Sequence, residues 1–214
     1  MNDAILLLSG GIDSTTLLAQ LSAKGCRIHA LSFDYGQNHR IELDYARRNA
    51  MKYGVEIHHF ITVDYGPMAE GSLLTSSIKN ISGAGNNGEK ANSHYVPGRN
   101  LLLLSHAAAY AEAHFISNIF LAVNADDSAR FPDCSQVFLD SANAVWQSLP
   151  NTRGLKLHSP YLTLSKAKVI ALSREIGVDL SQTLSCYSPL GANECGQCLS
   201  CQLKQDAMNE ANGF

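Results

Sequence analysis

Four cysteines near the C-terminus, Cys186, Cys195, Cys198 and Cys201, fall in the spacing C-x8-C-x2-C-x2-C. Each C-x-x-C step brings two sulfurs to one side of a tight turn. Four thiolates that leave no open position make a structural zinc site rather than a catalytic one. Gly196 relieves the turn between the second and third cysteine. Three rival chemistries fit less well. A disulfide suits an oxidising compartment, which nothing in this chain suggests. A thioredoxin-like pair needs a C-x-x-C at a strand–helix junction. A ferredoxin-type cluster wants a further cysteine after x3, and position 205 is Gln205.

The second site-forming string lies at the other end of the chain: Ser9-Gly10-Gly11-Ile12-Asp13-Ser14-Thr15. It follows a short apolar run and precedes a helix pattern. Two glycines let a ligand approach the backbone closely, and the free N–H groups of a helix start bind anions. The hydroxyls of Ser9, Ser14, Thr15 and Thr16 add donors. The result is an anion cradle without a lysine. The plain alternative is a βα turn with Asp13 or Ser14 as helix cap. Asp13 is also a hard oxygen ligand suited to Mg²⁺. No G-x-x-x-x-G-K-[ST] occurs. Gly83–Gly88 matches G-x-G-x-x-G by letter but has neither the strand before it nor the helix after it that a dinucleotide site needs. Asn80-Ile81-Ser82 has the form of a glycosylation sequon, without consequence in a chain lacking an export signal.

The elements that must position these groups alternate. Strands are expected at 4–8, 27–33, 56–63, 118–123 and 155–158. Helices are expected at 15–24, 41–53, 101–115, 135–149, 165–176 and 201–209. This order predicts an α/β fold with a mainly parallel sheet and helices on both faces. Residues 64–93, rich in Gly, Ser and Asn, break the rhythm and read as a long loop of the kind that serves as a lid. The 214 residues, 45% hydrophobic and 16% charged, can bury a sizeable core, which excludes a mostly disordered chain. A net charge of −3 supplies no basic field for nucleic acid. No run is long enough to span a membrane, and the N-terminus lacks a cationic signal region, so a cytoplasmic protein is expected. The domain division expected is 1–184 for the α/β unit and 185–214 for the cysteine tail packed on it. Cys26 reads as a small buried residue at a strand entrance. Cys134 reads as inert, with a place near a pocket left open.

The Ser9–Thr15 string resembles the pyrophosphate loop of the N-type ATP pyrophosphatases. Further strings extend the likeness over nearly the whole chain. They are Phe33-Asp34-Tyr35-Gly36-Gln37-Asn38-His39, Val96-Pro97-Gly98-Arg99-Asn100, Val123-Asn124, Phe131-Pro132-Asp133-Cys134, Leu164-Ser165-Lys166-Ala167 and Ser185-Cys186-Tyr187. In this order they resemble the QueC/ExsB family, the 7-cyano-7-deazaguanine synthases of queuosine biosynthesis. The resemblance implies an adenine nucleotide α-hydrolase-like, Rossmann-like fold. It implies an ATP-dependent C–N ligase that turns 7-carboxy-7-deazaguanine and ammonia into the nitrile preQ0. ATP is then a substrate, with Mg²⁺ beside it and structural Zn²⁺ in the tail.

The nucleotide site implied comprises Leu8, Ser9, Gly10, Gly11, Ile12, Asp13, Ser14 and Thr15, together with Phe33, Tyr35, Gly98 and Arg99. Lys166, Arg99 and Asp13 are the residues expected to carry catalysis, Lys166 and Arg99 by neutralising phosphate charge and Asp13 as a partner of Mg²⁺. Phe33 and Tyr35 end the second strand, where an aromatic can stack on adenine or simply pack in the core. His39 and His94 are open as bases or as structural hydrogen-bonders. The partners expected are the small carboxylate and ammonia, with no direct nucleic acid and no membrane; homodimer formation stays open. The family pattern Asp-x-Ser-Gly-Tyr-Pro-Asp-Cys-Arg differs here, where residues 127–135 read Asp127-Ser128-Ala129-Arg130-Phe131-Pro132-Asp133-Cys134-Ser135. After Cys186-Tyr187 the usual Asn-Gly is Ser188-Pro189. A QueC-like paralogue acting on a different carboxylate or modified base is therefore an alternative. A non-enzymatic zinc-ribbon binder of nucleic acid is a poorer one. From 185 onward Lys204 is the only strong base, against Glu194, Asp206 and Glu210.

Overall fold

The computed structural model describes residues 3–65, 72, 74–75, 94–148, 154–191 and 193–211. Five strands, β1 (Asp3–Leu7), β2 (Arg27–Asp34), β3 (Ile57–Thr62), β4 (Asn118–Phe120) and β5 (Lys156–His158), form one sheet in the order β3-β2-β1-β4-β5. Every pairing is parallel. The long helices are α1 (Ile12–Ala23), α2 (Glu42–Lys52), α3 (Arg99–His114), α5 (Gln136–Gln147), α6 (Lys166–Glu175) and α7 (Leu199–Ala211). A six-residue α4 (Ala125–Arg130) and 3-10 turns at Pro132–Cys134 and Leu180–Gln182 complete the described elements.

The period-2 rule of a strand explains the layering. Ile5 and Leu7 of β1 face one way and pack with Leu104, Ala107 and Ala111 of α3 and Leu139 and Trp146 of α5. Leu6 and Leu8 face the other way and pack with Leu17, Leu18 and Leu21 of α1, Ala46 and Ala50 of α2, and Val169 of α6. A sheet covered on both faces needs apolar residues at every position of its central strand, and Ala-Ile-Leu-Leu-Leu supplies them. The α/β architecture expected from the alternating elements is the one found.

β4 is shorter than the expected 118–123, because Asn124 turns the chain into α4. The Asn124 side chain accepts from the N–H groups of Asp126 and Asp127, and the Asp127 side chain accepts from the Asn124 N–H, a complete capping box. Cys26 is half-buried rather than buried, since it sits just before β2 at the end of the sheet. The expected lid and the Gly83–Gly88 string lie almost wholly outside the described residues. Of them, Tyr65 and Leu74 are buried, and the Tyr65 hydroxyl donates to the carbonyl of Pro97 at 3.0 Å.

β1 is flanked by β2 on one side and β4 on the other, so the chain reverses its direction of winding there. Such a switch point opens a crevice beyond the carboxyl ends of the strands, and ligands of open α/β sheets bind in it. The 8–11 loop follows β1 into that crevice, and Asn124 lies just beyond β4.

Candidate active site

The crevice holds a cavity of about 270 Å³. Gly11 caps α1 without any side-chain hydrogen bond, so neither Asp13 nor Ser14 is the cap. The first amides of α1 therefore keep their capacity for an anion. The hydroxyls of Ser9 and Ser14 lie 3.1 Å apart, the Gly11 N–H donates to Ser9 Oγ at 3.3 Å, and Ser14 Oγ donates to the Gly11 carbonyl at 3.2 Å. Gly10 holds φ +85°. A Cβ there would stand 2.4 Å from the Glu42 carbonyl oxygen and 2.6 Å from the Ala46 nitrogen. Only glycine lets the loop pass this close to α2.

Around this loop the charged groups gather. Lys166 opens α6, whose Ser165 cap accepts from the Lys168 N–H, and its Nζ donates to Asp13 Oδ2 at 2.6 Å. Asn124 Nδ2 donates to the same oxygen at 3.3 Å. Asp13 Oδ1 is buried and has no partner among the described residues. Burial first, and the neighbouring Asp13 carboxylate second, push Asp127 up to about 6, although Lys166 opposes this. Two carboxylates converging beside a phosphate cradle, one oxygen unpartnered, form a hard-oxygen set of the kind Mg²⁺ takes.

Arg99 approaches from the start of α3. Its guanidinium lies over the Tyr35 ring, 5.8 Å from the centroid, and Nη1 donates to the Tyr35 hydroxyl at 3.3 Å. Burial works against its charge, but Tyr35 and Asp133 outweigh that and hold it above the ordinary arginine value. Arg99 Nε is buried and unpartnered among the described residues, which leaves a donor for a ligand. Phe33 and Tyr35 are both buried and both line the cavity.

Of the residues expected at the nucleotide site, Leu8, Ser9, Gly11, Ile12, Asp13, Ser14, Phe33, Tyr35, Arg99 and Lys166 line this one cavity. Gly10, Thr15 and Gly98 do not. Gly10 supports the loop from behind, Thr15 is fully buried, and Gly98 is the left-handed cap of α3. Thr16 is no ligand donor either, because its hydroxyl donates to the Ile12 carbonyl at 2.7 Å. Among the lining residues that the motif reading did not single out are Glu42 and Asp127. Glu42 lies three residues beyond a quoted string and reads there as an ordinary first-turn acid. Asp127 reads in the sequence only as the start of the divergent segment.

That segment turns out to be mostly peripheral. Arg130 is exposed, and Ser135 caps α5 by accepting from the Phe138 N–H at 3.2 Å. Only Phe131 and Cys134 of residues 129–135 line the cavity. Asn100 holds the segment in place, its Nδ2 donating to the Asp133 carbonyl at 3.0 Å and reaching Cys134 Sγ at 3.3 Å. Burial pushes the Cys134 thiol up to about 12, so it stays protonated.

The four tail cysteines converge. All four Sγ atoms lie within 4.8 Å of one another, with Cys198–Cys201 at 3.5 Å, Cys186–Cys198 at 3.9 Å and Cys195–Cys201 at 4.0 Å. Zn–S bonds of about 2.3 Å at tetrahedral angles require S···S separations of roughly 3.8 Å. Backbone N–H groups of Cys195 and Ser188 donate to Cys186 Sγ at 3.2 and 3.4 Å, and those of Cys198 and Gln197 to Cys195 Sγ at 3.3 and 3.5 Å. The two bonds to Cys195 hold that thiol down at about 6. Such donors stabilise thiolates, so the set fits a tetrahedral thiophilic ion. Cys186 and Cys201 pack with Tyr45 of α2 and with Leu184, whose N–H donates to the Gly10 carbonyl at 3.0 Å. Ser185, Cys186, Tyr187 and Ser200 in turn line the cavity. The tail is thus one wall of the site.

Sheet order, uncapped loop and facing cations define an adenine nucleotide α-hydrolase-like protein. Two solved structures share the fold. NMN synthetase from Francisella tularensis superposes with a TM-score of 0.56 at 18% identity, over 99% of this chain and 77% of that one. A predicted tRNA methyltransferase subunit from Methanocaldococcus jannaschii gives 0.52 at 19% identity, over 82% and 75%. The family model of the queuosine biosynthesis protein QueC matches residues 3–212, and the chain belongs to that family. Relatives named 7-cyano-7-deazaguanine synthase include those of Citrifermentans bemidjiense, 41% identical over 97% of this chain and 93% of theirs, and Coxiella burnetii, 40% identical over 99% and 95%. That of Syntrophus aciditrophicus is 39% identical over 99% and 94%.

Proposed function

We propose that the protein is an ATP-dependent 7-cyano-7-deazaguanine synthase, which joins 7-carboxy-7-deazaguanine to ammonia and dehydrates the amide to the nitrile. The observation that carries the reading is the uncapped start of α1 opening, with Lys166 and Arg99, onto one cavity in a QueC-family chain. The carboxylate attacks the α-phosphorus of ATP, and pyrophosphate departs into the Ser9–Ser14 cradle. Lys166 and the α1 amides neutralise the charge that builds on the leaving phosphate oxygens, and Arg99 holds the acyl phosphate or the carboxylate. Asp13 and Asp127 would hold Mg²⁺, which supplies further neutralisation of phosphate charge. Ammonia displaces AMP to give the amide. A second adenylation, on the amide oxygen, lets that oxygen leave with AMP as the nitrile forms.

Zn²⁺ in Cys186, Cys195, Cys198 and Cys201 would take no part in chemistry. It would staple residues 185–214 onto the α/β unit of residues 1–184. Relatives named 7-cyano-7-deazaguanine synthase, 39–41% identical over nearly the whole chain, favour this carboxylate over a different one. Of the departures in 129–135, Arg130 and Ser135 lie outside the cavity while Phe131 lines it. Among the described residues no helix is long and apolar enough to cross a membrane. Purified protein with ATP, Mg²⁺, ammonia and 7-carboxy-7-deazaguanine should release AMP and the nitrile, followed by mass spectrometry. AMP release absent with this acid would overturn the proposal.

A further inference from the structure

We infer that Glu42, beside His39, is the group that receives the ammonium ion and takes its protons on the way to the nitrile. The inference rests on the synthase reading and names the part of the cavity that handles nitrogen.

Ammonia exists at neutral pH almost wholly as ammonium, so a proton must leave before nitrogen can attack. Around the phosphate cradle the candidate groups are committed elsewhere, Asp13 and Asp127 to the Mg²⁺ of the proposed reaction. Lys166 is bonded to Asp13, Arg99 is a permanent cation, and the Cys134 thiol stays protonated. Glu42, at the start of α2, lines the same cavity, with its side chain only 12% exposed. Oε1 accepts from Gln37 Nε2 at 2.9 Å, and Oε2 lies 3.4 Å from His39 Nε2. Gln37 is itself fixed, donating to the Phe33 carbonyl at 3.0 Å and accepting from the Tyr35 N–H at 2.9 Å. The carboxylate is therefore held in place with one oxygen committed and one turned towards a histidine. His39 Nδ1 is buried without a partner among the described residues.

This arrangement suits a small cation with several N–H donors. Arg99, Tyr35, Gln37 and His39 are the polar or titratable groups that face Glu42, and Tyr187 borders His39 with ring centroids 5.9 Å apart. None forms an ordinary ion pair with it. Burial keeps His39 neutral, at about 4, so it can accept a hydrogen bond from ammonium but does not compete as a cation. Burial also raises Glu42 to about 7, outweighing Gln37 and Arg99. A base poised near neutral pH both takes and releases a proton readily.

In the amidation, an N–H bond of ammonium breaks and its proton passes to Glu42 Oε2. The freed lone pair forms the C–N bond, and the C–O bond to AMP breaks. After nitrogen has attacked, a second N–H proton leaves the adduct by the same carboxylate, each being released to solvent, so that the neutral amide keeps two N–H bonds. In the dehydration, nitrogen is the same atom in the same place. The adenylated amide gives up its two remaining N–H protons as the C–O bond to AMP breaks and the triple bond forms, and Glu42 accepts them in turn, releasing each to solvent.

Glu42→Gln tests this, with ATP–pyrophosphate exchange supported by the carboxylate as the internal reference for a folded, adenylating site. The ratio of ammonium-dependent nitrile formation to exchange should fall by about 10²-fold or more. Hydroxylamine is already neutral at pH 7, so its capture of the adenylate to give hydroxamate should keep its wild-type ratio to exchange. Glu42→Asp should restore part of the ammonium reaction. An unchanged nitrile-to-exchange ratio in Glu42→Gln would overturn the inference, and so would an equal loss with hydroxylamine. Failure of the wild type to exchange pyrophosphate with this acid would instead overturn the synthase reading on which the inference stands.

Discussion

Lys166 Nζ and Asp13 Oδ2 meet at 2.6 Å although 153 positions separate the two residues. The pair joins the first turn of α6 to the first turn of α1, across the mouth of the phosphate cradle. Each side chain is 16% exposed, so the contact is shielded but not sealed. In the proposed complex with nucleotide, phosphate oxygens would give Lys166 a second partner, and Asp13 would keep Asn124. Lys166→Met should therefore fold, with a modest stability loss of about 1–3 kcal/mol. Its pyrophosphate-exchange rate should fall by roughly 10²–10³, the usual cost of one transition-state donor. Steady-state exchange and thermal melts check both; a rate within tenfold of wild type would remove Lys166 from the catalytic group.

Gly10 and Gly98 both have positive φ, +85° and +64°, yet only Gly10 has backbone within 3 Å of a built Cβ. Gly98→Ala meets open space and pays only for the left-handed conformation, roughly 1–2 kcal/mol. Gly10→Ala must also push the loop off α2, against the Glu42 carbonyl and the Ala46 nitrogen. It should cost several times more stability or displace the cradle, with ATP binding weakened at least tenfold. Calorimetric titration of the two variants separates the cases.

The loop and the cysteine spacing were legible in the sequence because each is local: consecutive residues make the cradle, and i, i+3 cysteines make the knuckle. The sheet was legible for a similar reason, since apolar runs of β1 and β2 are bounded by glycines. Glu42, Asp127 and Asn124 were not legible as site residues. Their roles depend on where β4 and α2 pack against the loop, and single-sequence patterns carry no such distances. Asn124 shows the point. A capping box over four residues ended β4 three residues early and built α4, setting Asp127 beside Asp13.

Ser135 makes a clean test of the divergent segment. Its side chain caps α5 and lies away from the cavity. Ser135→Ala should lower stability by about 1 kcal/mol and leave ATP and carboxylate affinity unchanged. A loss of substrate affinity larger than the stability effect would bring this segment back into the site.

The tail predicts a coupling between metal and nucleotide. Cys186 and Cys201 pack on Tyr45 and Leu184, and the Leu184 N–H holds the Gly10 carbonyl at 3.0 Å. Losing the ion frees mutually repelling thiolates and loosens that contact. Cys198→Ser or chelation should lower the Tm, raise amide exchange at Leu184 and weaken ATP binding by tenfold or more. Metal analysis should find one zinc per wild-type chain. Unaltered ATP affinity in metal-free protein would show that the tail does not hold the loop.

Glu42 and His39 also make opposed demands on stability. Glu42 is raised from 4.5 to about 7, so between those values the folded chain keeps a proton that the unfolded chain has lost. Its contribution to stability is therefore greatest at low pH and declines as pH rises through the window, by about 3 kcal/mol in all. His39 is lowered from 6.5 to about 4, so over that range the unfolded chain binds the extra proton and stability rises with pH. Between about pH 4.5 and 6.5 the two slopes oppose each other in the wild type. Glu42→Gln removes the falling slope and leaves the rising one. The stability of the variant minus that of the wild type should then climb by roughly 1.4 kcal/mol per pH unit across this range. Asp127 and His58 titrate nearby in pH but are present in both proteins, so they cancel in the difference. Urea melts of both proteins at several pH values give the curve directly, and a flat difference would mean that Glu42 keeps its ordinary acidity in the folded chain.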